Sequence, residues 1–343
     1  MSKFDHERVV IHTGPRSGLP VIVAIHSTVL GQAVGGCRVW HYGDWHEALT
    51  DALRVSAGMT AKCAVAGLAN GGGKTVVALP NGMRLDAAQR RNLLHDVADV
   101  IESLDGAYAT GPDVGTTPVD MAVIGDRTRH VFCRPQEQGG SGDSSPHTAA
   151  GTLAALRATR RHLHGASKLQ GCRLAVVGLG GVGEKLARML AAEGAQLQVS
   201  DIDQAKRVLA DQLGAAWIDP DEALTQDVDI LVPAALGGIL TQQIIPRLRC
   251  AAITGPANNQ LATPEVAELL HQRGILWVPD YVAGAGGVIH ALTVELHGGT
   301  RDEAAARILQ IENTVHTLLA TAASAGITPA QAALESVQHR IKT

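Results

Sequence analysis

The spacing of apolar and polar residues predicts an α/β fold for the first third of the chain. Apolar runs of strand length, such as Val21–Ile25, alternate with turns across residues 8–39. Asp44 then stands where the N-cap of an amphipathic helix is expected, and a second helical pattern covers about residues 86–103. The glycine run Gly71–Gly73, which we predict to be a loop, and a predicted strand over 75–80 lie between these two helices. Because strands and helices alternate, we predict an α/β domain here.

The second half of the chain repeats a strand, a loop of small residues and a helix. Strand-like runs occur at 174–177, 196–200, 228–232, 251–254 and 274–278. This repetition predicts a parallel sheet, whose ligands bind at the carboxyl ends of the strands. The polar Gly/Ser segment Gln138–Pro146 predicts a hinge between the two parts. After residue 286 the pattern is helical to the end.

Composition excludes several classes of protein. The chain has 343 residues, enough for two domains, with 45% hydrophobic and 18% charged residues. A net charge of −4 provides no basic surface for nucleic acid or an anionic membrane, and 3% aromatic residues are too few for base stacking. We find no apolar run of membrane-spanning length and no signal-peptide core. The five scattered cysteines predict reduced thiols in the cytoplasm and no metal site.

Two lysines carry the first candidate chemistry. Lys62 and Lys74 are twelve positions apart in an apolar, glycine-rich stretch without an acidic residue between them. An ammonium group in apolar surroundings requires an anion or loses its proton. One lysine is therefore a candidate ligand for a substrate carboxylate, and the other is a candidate base. The alternative is two solvated surface lysines, the usual location of an isolated lysine. The run Gly71–Gly73 favours a site, because glycines allow a backbone to approach a ligand closely.

A phosphate-binding P-loop is excluded at the same place. Gly73-Lys74-Thr75 resembles the end of that motif, but position 68 is Leu68 where the motif requires glycine. A P-loop also opens a helix, whereas residues 75–80 are predicted to form a strand.

A single carboxylate lies in the turn-rich segment around Asp113. It is flanked by Gly111 and Gly115, a composition typical of a ligand-facing loop. The alternative, an Asx turn or a helix N-cap, stays open at this point.

A dinucleotide-binding fingerprint follows the strand 174–177. The glycine pattern leads into a helix, a second strand and then Asp201, eighteen positions after Gly183. The glycines form a tight turn, the helix N-terminus receives the pyrophosphate, and the carboxylate binds the ribose hydroxyls. Asp201 favours NAD over NADP, while the nearby Lys206 and Arg207 are the contrary signal. The predicted cofactor-binding residues are Gly178, Gly180, Gly181, Val182, Gly183 and Asp201.

Several motifs together resemble the Glu/Leu/Phe/Val dehydrogenase family, and most of all its phenylalanine, leucine and valine enzymes. The resemblance extends over about residues 20–300. Its motifs are Gly35-Gly36-x-Arg38, Gly58-Met59-Thr60-x-Lys62, Gly71-Gly72-Gly73-Lys74, Asp113-Val114-Gly115-Thr116, Thr148-Ala149-x-Gly151, Gly178 to Gly183, Ala235-Leu236-Gly237-Gly238, Ala257-Asn258-Asn259-Gln260 and Asp280-Tyr281-Val282.

The resemblance implies an N-terminal α/β substrate domain and a C-terminal Rossmann-type NAD domain with a cleft between them. We expect a substrate, catalytic and oligomerisation domain over 1–138, the NAD domain over 139–290, and helices over 291–343 that pack back toward the first domain. The implied activity is reversible, NAD-dependent oxidative deamination of an L-amino acid to the 2-oxo acid and ammonium. A cytoplasmic homo-oligomer, dimer or octamer, is implied as well.

The same resemblance implies roles for individual residues. Lys74 would activate water, and Asp113 would exchange a proton with the amino group. The further implied substrate-binding residues are Lys62, Gly36, Met59 and Asn259, and the further cofactor-binding residues are Thr148, Ala235 and Asn258. The side-chain pocket would be lined by Val34, Gly111, Val288 and Ala291. Because leucine enzymes usually carry alanine where Gly111 stands, the missing methyl group favours an aromatic substrate, with branched aliphatic substrates as the alternative.

Three departures from the family pattern keep other functions open. Gly284 replaces an asparagine, Ala234 replaces a cysteine, and Pro256 replaces a small residue and removes a backbone donor. Together they leave open a specialised enzyme that makes or uses an unusual amino acid, and Gly284 and Pro256 suggest an inactive NAD-binding homologue. A third alternative is an imine reductase that works without free ammonium.

Overall fold

The computed structural model describes residues 4–342, which form two compact units. The first unit contains residues 4–143, 291–300 and 340–342. The second contains residues 144–290 and 301–339. The three-part division predicted from the sequence stays a prediction.

None of the helices within residues 4–342 is long and apolar enough to cross a membrane.

A five-stranded mixed sheet forms the centre of the first unit. The elements of this unit are β1 Arg8–Thr13, β2 Pro20–Ser27, β3 Ala33–His41, α1 Trp45–Val65, β4 Gly71–Leu79, α2 Ala87–Glu102, β5 Tyr108–Pro112, α3 Pro118–Gly125, a 3-10 turn Gln136–Gln138 and a π-helical turn Leu292–Leu296. The strand order in the sheet is β1-β2-β4-β3-β5; β2 is antiparallel to β1 and β4, and β3 is parallel to β4 and β5. The predicted α/β character is confirmed.

Alternating side chains of β2 bury both faces of this sheet. Val21, Val23 and Ile25 pack into the core formed with α2, whereas Ile22 and Ala24 pack against α1. All five are at most 2% exposed, and burying such a side chain contributes about 1.5–3 kcal/mol. The period of two along β2 therefore places one helix on each side of the sheet.

The predicted start of α1 is confirmed by its cap. Asp44 is the N-cap, and its side chain accepts hydrogen bonds from the backbone N–H groups of His46 and Glu47. Its Oδ1 lies 2.7 Å from the first nitrogen and 3.1 Å from the second. Substituting alanine for such a cap typically costs about 1 kcal/mol.

The glycine run Gly71–Gly73 is part of a strand, so the loop predicted there is wrong. All three residues lie in β4 and are buried. A Cβ on the first would stand 1.8 Å from the carbonyl oxygen of Ser27, on the second 2.1 Å from the nitrogen of Thr60, and on the third 2.6 Å from the ring of Tyr108. These glycines allow α1 and the neighbouring strands to approach β4 closely, so their contacts are with the protein itself.

A six-stranded parallel sheet forms the centre of the second unit. The elements of this unit are α4 Ser145–His164, β6 Arg173–Val177, α5 Gly181–Ala192, β7 Gln196–Ser200, a 3-10 turn Gln204–Lys206, α6 Arg207–Leu213, β8 Ala216–Trp217, a 3-10 turn Ala223–Thr225, β9 Asp227–Pro233, a 3-10 turn Ile245–Arg247, β10 Arg249–Ile253, α7 Val266–Gln272, β11 Leu276–Trp277, α8 Asp280–Ala283, α9 Gly286–Ala291, α10 Arg301–Ala325 and α11 Pro329–Lys342. The last residue of α9 and the last three of α11 belong to the first unit. The strand order β11-β10-β9-β6-β7-β8 is the Rossmann order, and the prediction of a parallel sheet is confirmed.

Candidate active site

A buried amine is paired with a half-buried carboxylate in the sheet of the first unit. Lys74 belongs to the central strand β4 and is 2% exposed, and its Nζ donates a hydrogen bond to Oδ2 of Asp113, the residue after β5. The intervening strand β3 carries Gly36 at this level. A Cβ there would stand 2.7 Å from the Cβ of Asp113 and 3.3 Å from Nζ of Lys74. The structure therefore brings together three residues that the sequence singled out.

The electrostatics of the pair suit proton transfer. Burial lowers the pKa of Lys74, and the positive charge of Arg38 lowers it further. The Asp113 carboxylate raises it, but the resulting pKa is still below that of an ordinary lysine. Burial raises the pKa of Asp113, but the positive charges of Lys74 and Arg38 more than offset this and hold it at about 2. At neutral pH the carboxylate is ionised, and the amine releases its proton more readily than a solvated lysine.

Arg38 is a member of this cluster that sequence reasoning did not select as a site residue. Its Nε donates to Oδ2 of Asp113 at 2.9 Å, and its Nη1 donates to Oδ2 of Asp51 at 2.6 Å. Tyr42 donates its hydroxyl to the same oxygen of Asp51 at 2.8 Å. The motif Gly35-Gly36-x-Arg38 could have indicated Arg38 as a site residue. Its partner Asp51 lies on α1 and belongs to no motif.

The second lysine occupies the last turn of α1. Lys62 and Met59 are three positions apart on this helix, and both are half-buried. The backbone of Thr60, between them, packs directly against Gly72 of β4, two residues before Lys74. Helix packing thus places this segment beside the strand that carries the buried amine.

The predicted pocket residues Val34 and Gly111 are both buried in the same sheet. They lie on neighbouring strands β3 and β5, where Gly111 pairs with Gly36. The space expected beside Gly111 is filled by the ring of Phe132, since a Cβ on the glycine would stand 2.3 Å from Cε2 of that ring. The preference for an aromatic side chain that was inferred from the missing methyl group stays a prediction.

The backbone holds Phe132 in place. Its N–H donates to the carbonyl oxygen of Thr110 at 2.9 Å. The next residue, Cys133, has a φ of 59° and donates its N–H to Oε1 of Glu295 at 2.6 Å. Ser141 donates to the same oxygen at 2.8 Å. Glu295 lies four residues after Ala291, which is 1% exposed and belongs to the first unit. Phe132 and Glu295 were both missed by sequence reasoning, since neither belongs to a motif.

The glycine fingerprint forms a turn between β6 and α5 in the second unit. Gly178 has a φ of 106°, and a Cβ on it would stand 2.5 Å from the Cβ of Ala235. Gly180 is the N-cap of α5 and makes no side-chain cap. Gly180 and Gly181 are exposed at the N-terminus of α5, an arrangement that suits a pyrophosphate. Val182 lies half-buried in the same turn, and Gly183 packs its backbone against Gly178.

The predicted ribose ligand lies next to this turn. Asp201 follows β7, and its Oδ2 accepts the backbone N–H of Leu179 at 2.6 Å. Its Oδ1 accepts the N–H of Asp203 at 2.9 Å. The carboxylate is thus fixed beside the glycine loop, as a ribose contact requires.

Loops from the carboxyl ends of β9 and β10 meet beside the fingerprint. The N–H of Gly238 donates to the carbonyl oxygen of Asn259 at 2.7 Å, and Asn259 has a φ of 54°. Asn258 is exposed on the same loop. Thr148, near the start of α4, packs against Gly287 of α9. Val288 is half-buried on α9 within the second unit.

Two of the three departures from the family pattern contact each other. A Cβ on Gly284 would stand 3.0 Å from the carbonyl oxygen of Asp280 and 3.3 Å from that of Pro256. Both Gly284 and Pro256 are buried. A side chain at 284 would require these neighbours to give by a few tenths of an ångström.

A Rossmann unit with a glycine turn at the start of a helix, in the same chain as a lysine–aspartate pair, indicates a nicotinamide-dependent dehydrogenase. Comparison with known proteins specifies it further. The chain belongs to the Glu/Leu/Phe/Val dehydrogenase family: residues 6–130 match "Glu/Leu/Phe/Val dehydrogenase, dimerisation domain" and residues 198–341 match "Glutamate/Leucine/Phenylalanine/Valine dehydrogenase". It is an amino-acid dehydrogenase, an oxidoreductase acting on the CH–NH2 group.

Its relatives differ in the substrate that their names give. Leucine dehydrogenase from Geobacillus stearothermophilus is 40% identical over 346 residues, which cover 100% of this chain and 92% of that protein. Phenylalanine dehydrogenase from Bacillus thermotolerans is 38% identical over 344 residues, covering 98% and 89%. The crystal structure of L-tryptophan dehydrogenase from Nostoc punctiforme has a TM-score of 0.83 at 35% identity and covers 98% of this chain and 96% of that one.

Proposed function

We propose that the protein catalyses reversible, NAD-dependent oxidative deamination of an apolar L-amino acid, with Lys74 and Asp113 as its catalytic residues. The observation that carries the proposal is the ion pair between the buried Lys74 amine and the half-buried Asp113 carboxylate. Before oxidation, the Asp113 carboxylate accepts a proton from the substrate ammonium group, which leaves a lone pair on nitrogen. Bound NAD supplies the hydride acceptor for Cα. The neutral amine of Lys74 then takes a proton from water, whose oxygen adds to the imine carbon. Asp113 returns its proton to the amino nitrogen, the C–N bond breaks as ammonia leaves, and the hydroxyl proton passes to the Asp113 carboxylate as the C=O bond forms.

Lys62 is proposed to bind the α-carboxylate of the substrate, and Met59, Gly36 and Asn259 to shape its surroundings. A half-buried ammonium at the end of α1 supports this role, because an ion pair is stronger there than in bulk water. Val34 and Gly111, which are buried and apolar, support an apolar substrate side chain.

Two classes of side chain fit the proposal. The glycine at 111 favours an aromatic side chain, whereas the Phe132 ring that fills its space favours a branched aliphatic one. A panel of L-phenylalanine, L-tryptophan, L-leucine and L-valine with NAD at alkaline pH distinguishes them by the rate of NADH absorbance. No NADH formation with these or related amino acids would contradict the proposed function.

We propose NAD rather than NADP because both nearby cations have other partners. Lys206 forms an ion pair with Glu184 at 3.0 Å, and Arg207 lies over the ring of Trp217 at 5.3 Å. Asp201 would repel a 2′-phosphate. Gly178, Gly180, Gly181, Val182, Gly183, Thr148, Ala235 and Asn258 are proposed to line the rest of the cofactor site. Comparing kcat/KM for the two cofactors tests this choice.

The idle NAD-binding alternative is motivated by Gly284 and Pro256. It predicts NAD binding in calorimetry without turnover, and a Lys74→Ala variant that behaves like the parent protein. The imine reductase alternative predicts product formation with NADH in the absence of ammonium. An intact Lys74–Asp113 pair supports the dehydrogenase over both.

We also propose that the protein is a cytoplasmic homo-oligomer. All five cysteines are buried and unpaired, which supports a reducing compartment. Light scattering coupled to size exclusion measures the mass of the assembly, and a mass of 35.7 kDa would indicate a monomer.

A further inference from the structure

Two cations share a single oxygen of Asp113. Nζ of Lys74 and Nε of Arg38 both donate to Oδ2, the arginine at 2.9 Å. Within residues 4–342, Oδ1 of Asp113 accepts no hydrogen bond, and the Asp113 side chain is 20% exposed. The two oxygens therefore differ: Oδ2 accepts two hydrogen bonds from the protein, whereas the hydrogen-bonding capacity of Oδ1 is left for a ligand.

Arg38 is held in turn from the opposite side. Its Nη1 donates to Oδ2 of Asp51 at 2.6 Å, and Asp51 also accepts hydrogen bonds from Tyr42 and Arg54, each at 2.8 Å. The Arg38 side chain is 17% exposed, so the bridge is only weakly screened by water. A planar guanidinium can span two carboxylates with separate N–H groups, which a single ammonium group cannot do in the same way.

We infer that Arg38 is a positioning residue: through its bridge to Asp51 it orients Asp113 so that Oδ1 exchanges the proton with the substrate amino group. This inference rests on the proposed deamination. Sharing of Oδ2 by two cations leaves Oδ1 as the more basic accessible position, because a carboxylate oxygen that already accepts two charged donors is a poor proton acceptor.

Arg38 also sets the charge around Lys74. The charged and titratable groups that face the amine are Asp113, Arg38 and Cys37. Burial raises the pKa of the Cys37 thiol to about 12, so this group is neutral under assay conditions. The Lys74 amine is thus next to one anion, Asp113, and one cation, Arg38. Without Arg38, only the Asp113 charge would remain, and it would raise the pKa of Lys74 by stabilising the protonated amine.

Three variants test the inference: Arg38→Met, Arg38→Lys and, as a matched control, Arg54→Met. Arg54 contacts the same Asp51 but not Asp113, and its side chain is 52% exposed. We expect the acid limb of the kcat/KM profile to move to higher pH by about one unit in Arg38→Met, since a charge at this distance shifts a pKa by that amount. Arg38→Lys keeps the charge, so its limb stays near that of the parent while kcat falls roughly 10–100-fold and KM changes little. The control keeps both the parental profile and the parental kcat.

A second measurement does not depend on turnover. Acetic anhydride labels Lys74 only in its neutral form, and mass spectrometry of the peptide gives the labelling rate against pH. Arg38→Met should shift this curve upward by about one unit, as in the kinetic profile. Circular dichroism and thermal unfolding verify that each variant is folded.

An unshifted labelling curve in folded Arg38→Met, or an Arg38→Lys variant with parental kcat, would overturn the inference. Absence of turnover in the parent protein would instead contradict the proposed function, and the labelling curve would still decide the charge effect of Arg38.

Discussion

Adding one methyl group at Gly111 tests how the interior beside the proposed site is packed. In Gly111→Ala the new Cβ would stand 2.3 Å from Cε2, 2.8 Å from Cζ and 2.9 Å from Cδ2 of Phe132. Carbon atoms pack at about 3.5–4.0 Å, so ring and strand must separate by roughly 1 Å. Neither can move freely, because Gly111 is paired with Gly36 and Phe132 is 6% exposed with its N–H bonded to β5.

Overpacking of this kind costs about 1–3 kcal/mol of unfolding free energy. The cost should depend on the ring, so we expect it to shrink when Phe132 is replaced by leucine. Phe132→Leu alone should cost about 1–2 kcal/mol through the lost contacts. A double-mutant cycle by urea unfolding should therefore give a coupling energy of about 0.5–3 kcal/mol between the two positions.

Gly58→Ala is the matched control for the added methyl group. A Cβ at Gly58, in the middle of α1, meets no atom within 4 Å. This variant should be stabilised by about 0.5–1 kcal/mol, the difference in helix propensity. The reasoning is refuted if Gly111→Ala is as stable as the parent, or if it is equally destabilised with and without the Phe132 ring.

The same pair predicts a change in substrate preference. Phe132→Leu opens space beside Gly111, so the ratio of kcat/KM for phenylalanine over leucine should rise by about tenfold or more. An unchanged ratio would mean that the ring does not border the substrate.

Three other predictions concern charged groups. Lys74→Met should lower kcat by about 10²–10⁴-fold, while calorimetry should give the same NAD affinity as in the parent protein. In the parent, kcat/KM should fall as the pH drops through the lowered pKa of Lys74, because only the neutral amine is a base. A pH-independent rate would contradict this role. Glu184→Gln should release Lys206, because the ion pair at 3.0 Å then loses its anion. The kcat/KM for NADP relative to that for NAD should rise by about tenfold. The same NADP-to-NAD ratio in variant and parent would show that the lysine does not reach the cofactor. The pKa of Asp113 is about 2 in the folded protein against a reference value of 3.8, so its contribution to stability is complete above pH 3.8 and is lost as the pH falls toward 2. Acid unfolding of Asp113→Asn should be less steep across this window, and parallel curves for variant and parent would argue against an ionised native carboxylate.

The interpretation of the fingerprint 178–183 needed little beyond the sequence, because its chemistry is local. A strand, a glycine turn and a helix are consecutive, so the loop geometry follows from neighbouring residues. The N-cap at Asp44 and the alternation along β2 are also local patterns, and the structure agrees with both. The pair of Lys74 and Asp113 could be suspected for a related reason, since each residue stands out within its own segment.

Tertiary structure decided what surrounds these residues. The glycines before Lys74 suggested a loop near a ligand, yet they belong to a central strand, and the groups that exclude a Cβ come from β2, α1 and β5. Phe132 and Gly111 are 21 positions apart and meet only because residue 131 forms a bridge with Thr110 beside β5. Arg38 meets Asp51 because α1 packs across the sheet. Sequence periodicity determines which residues face a core, whereas contacts between distant segments depend on how the sheet is ordered, and only the folded chain provides that order.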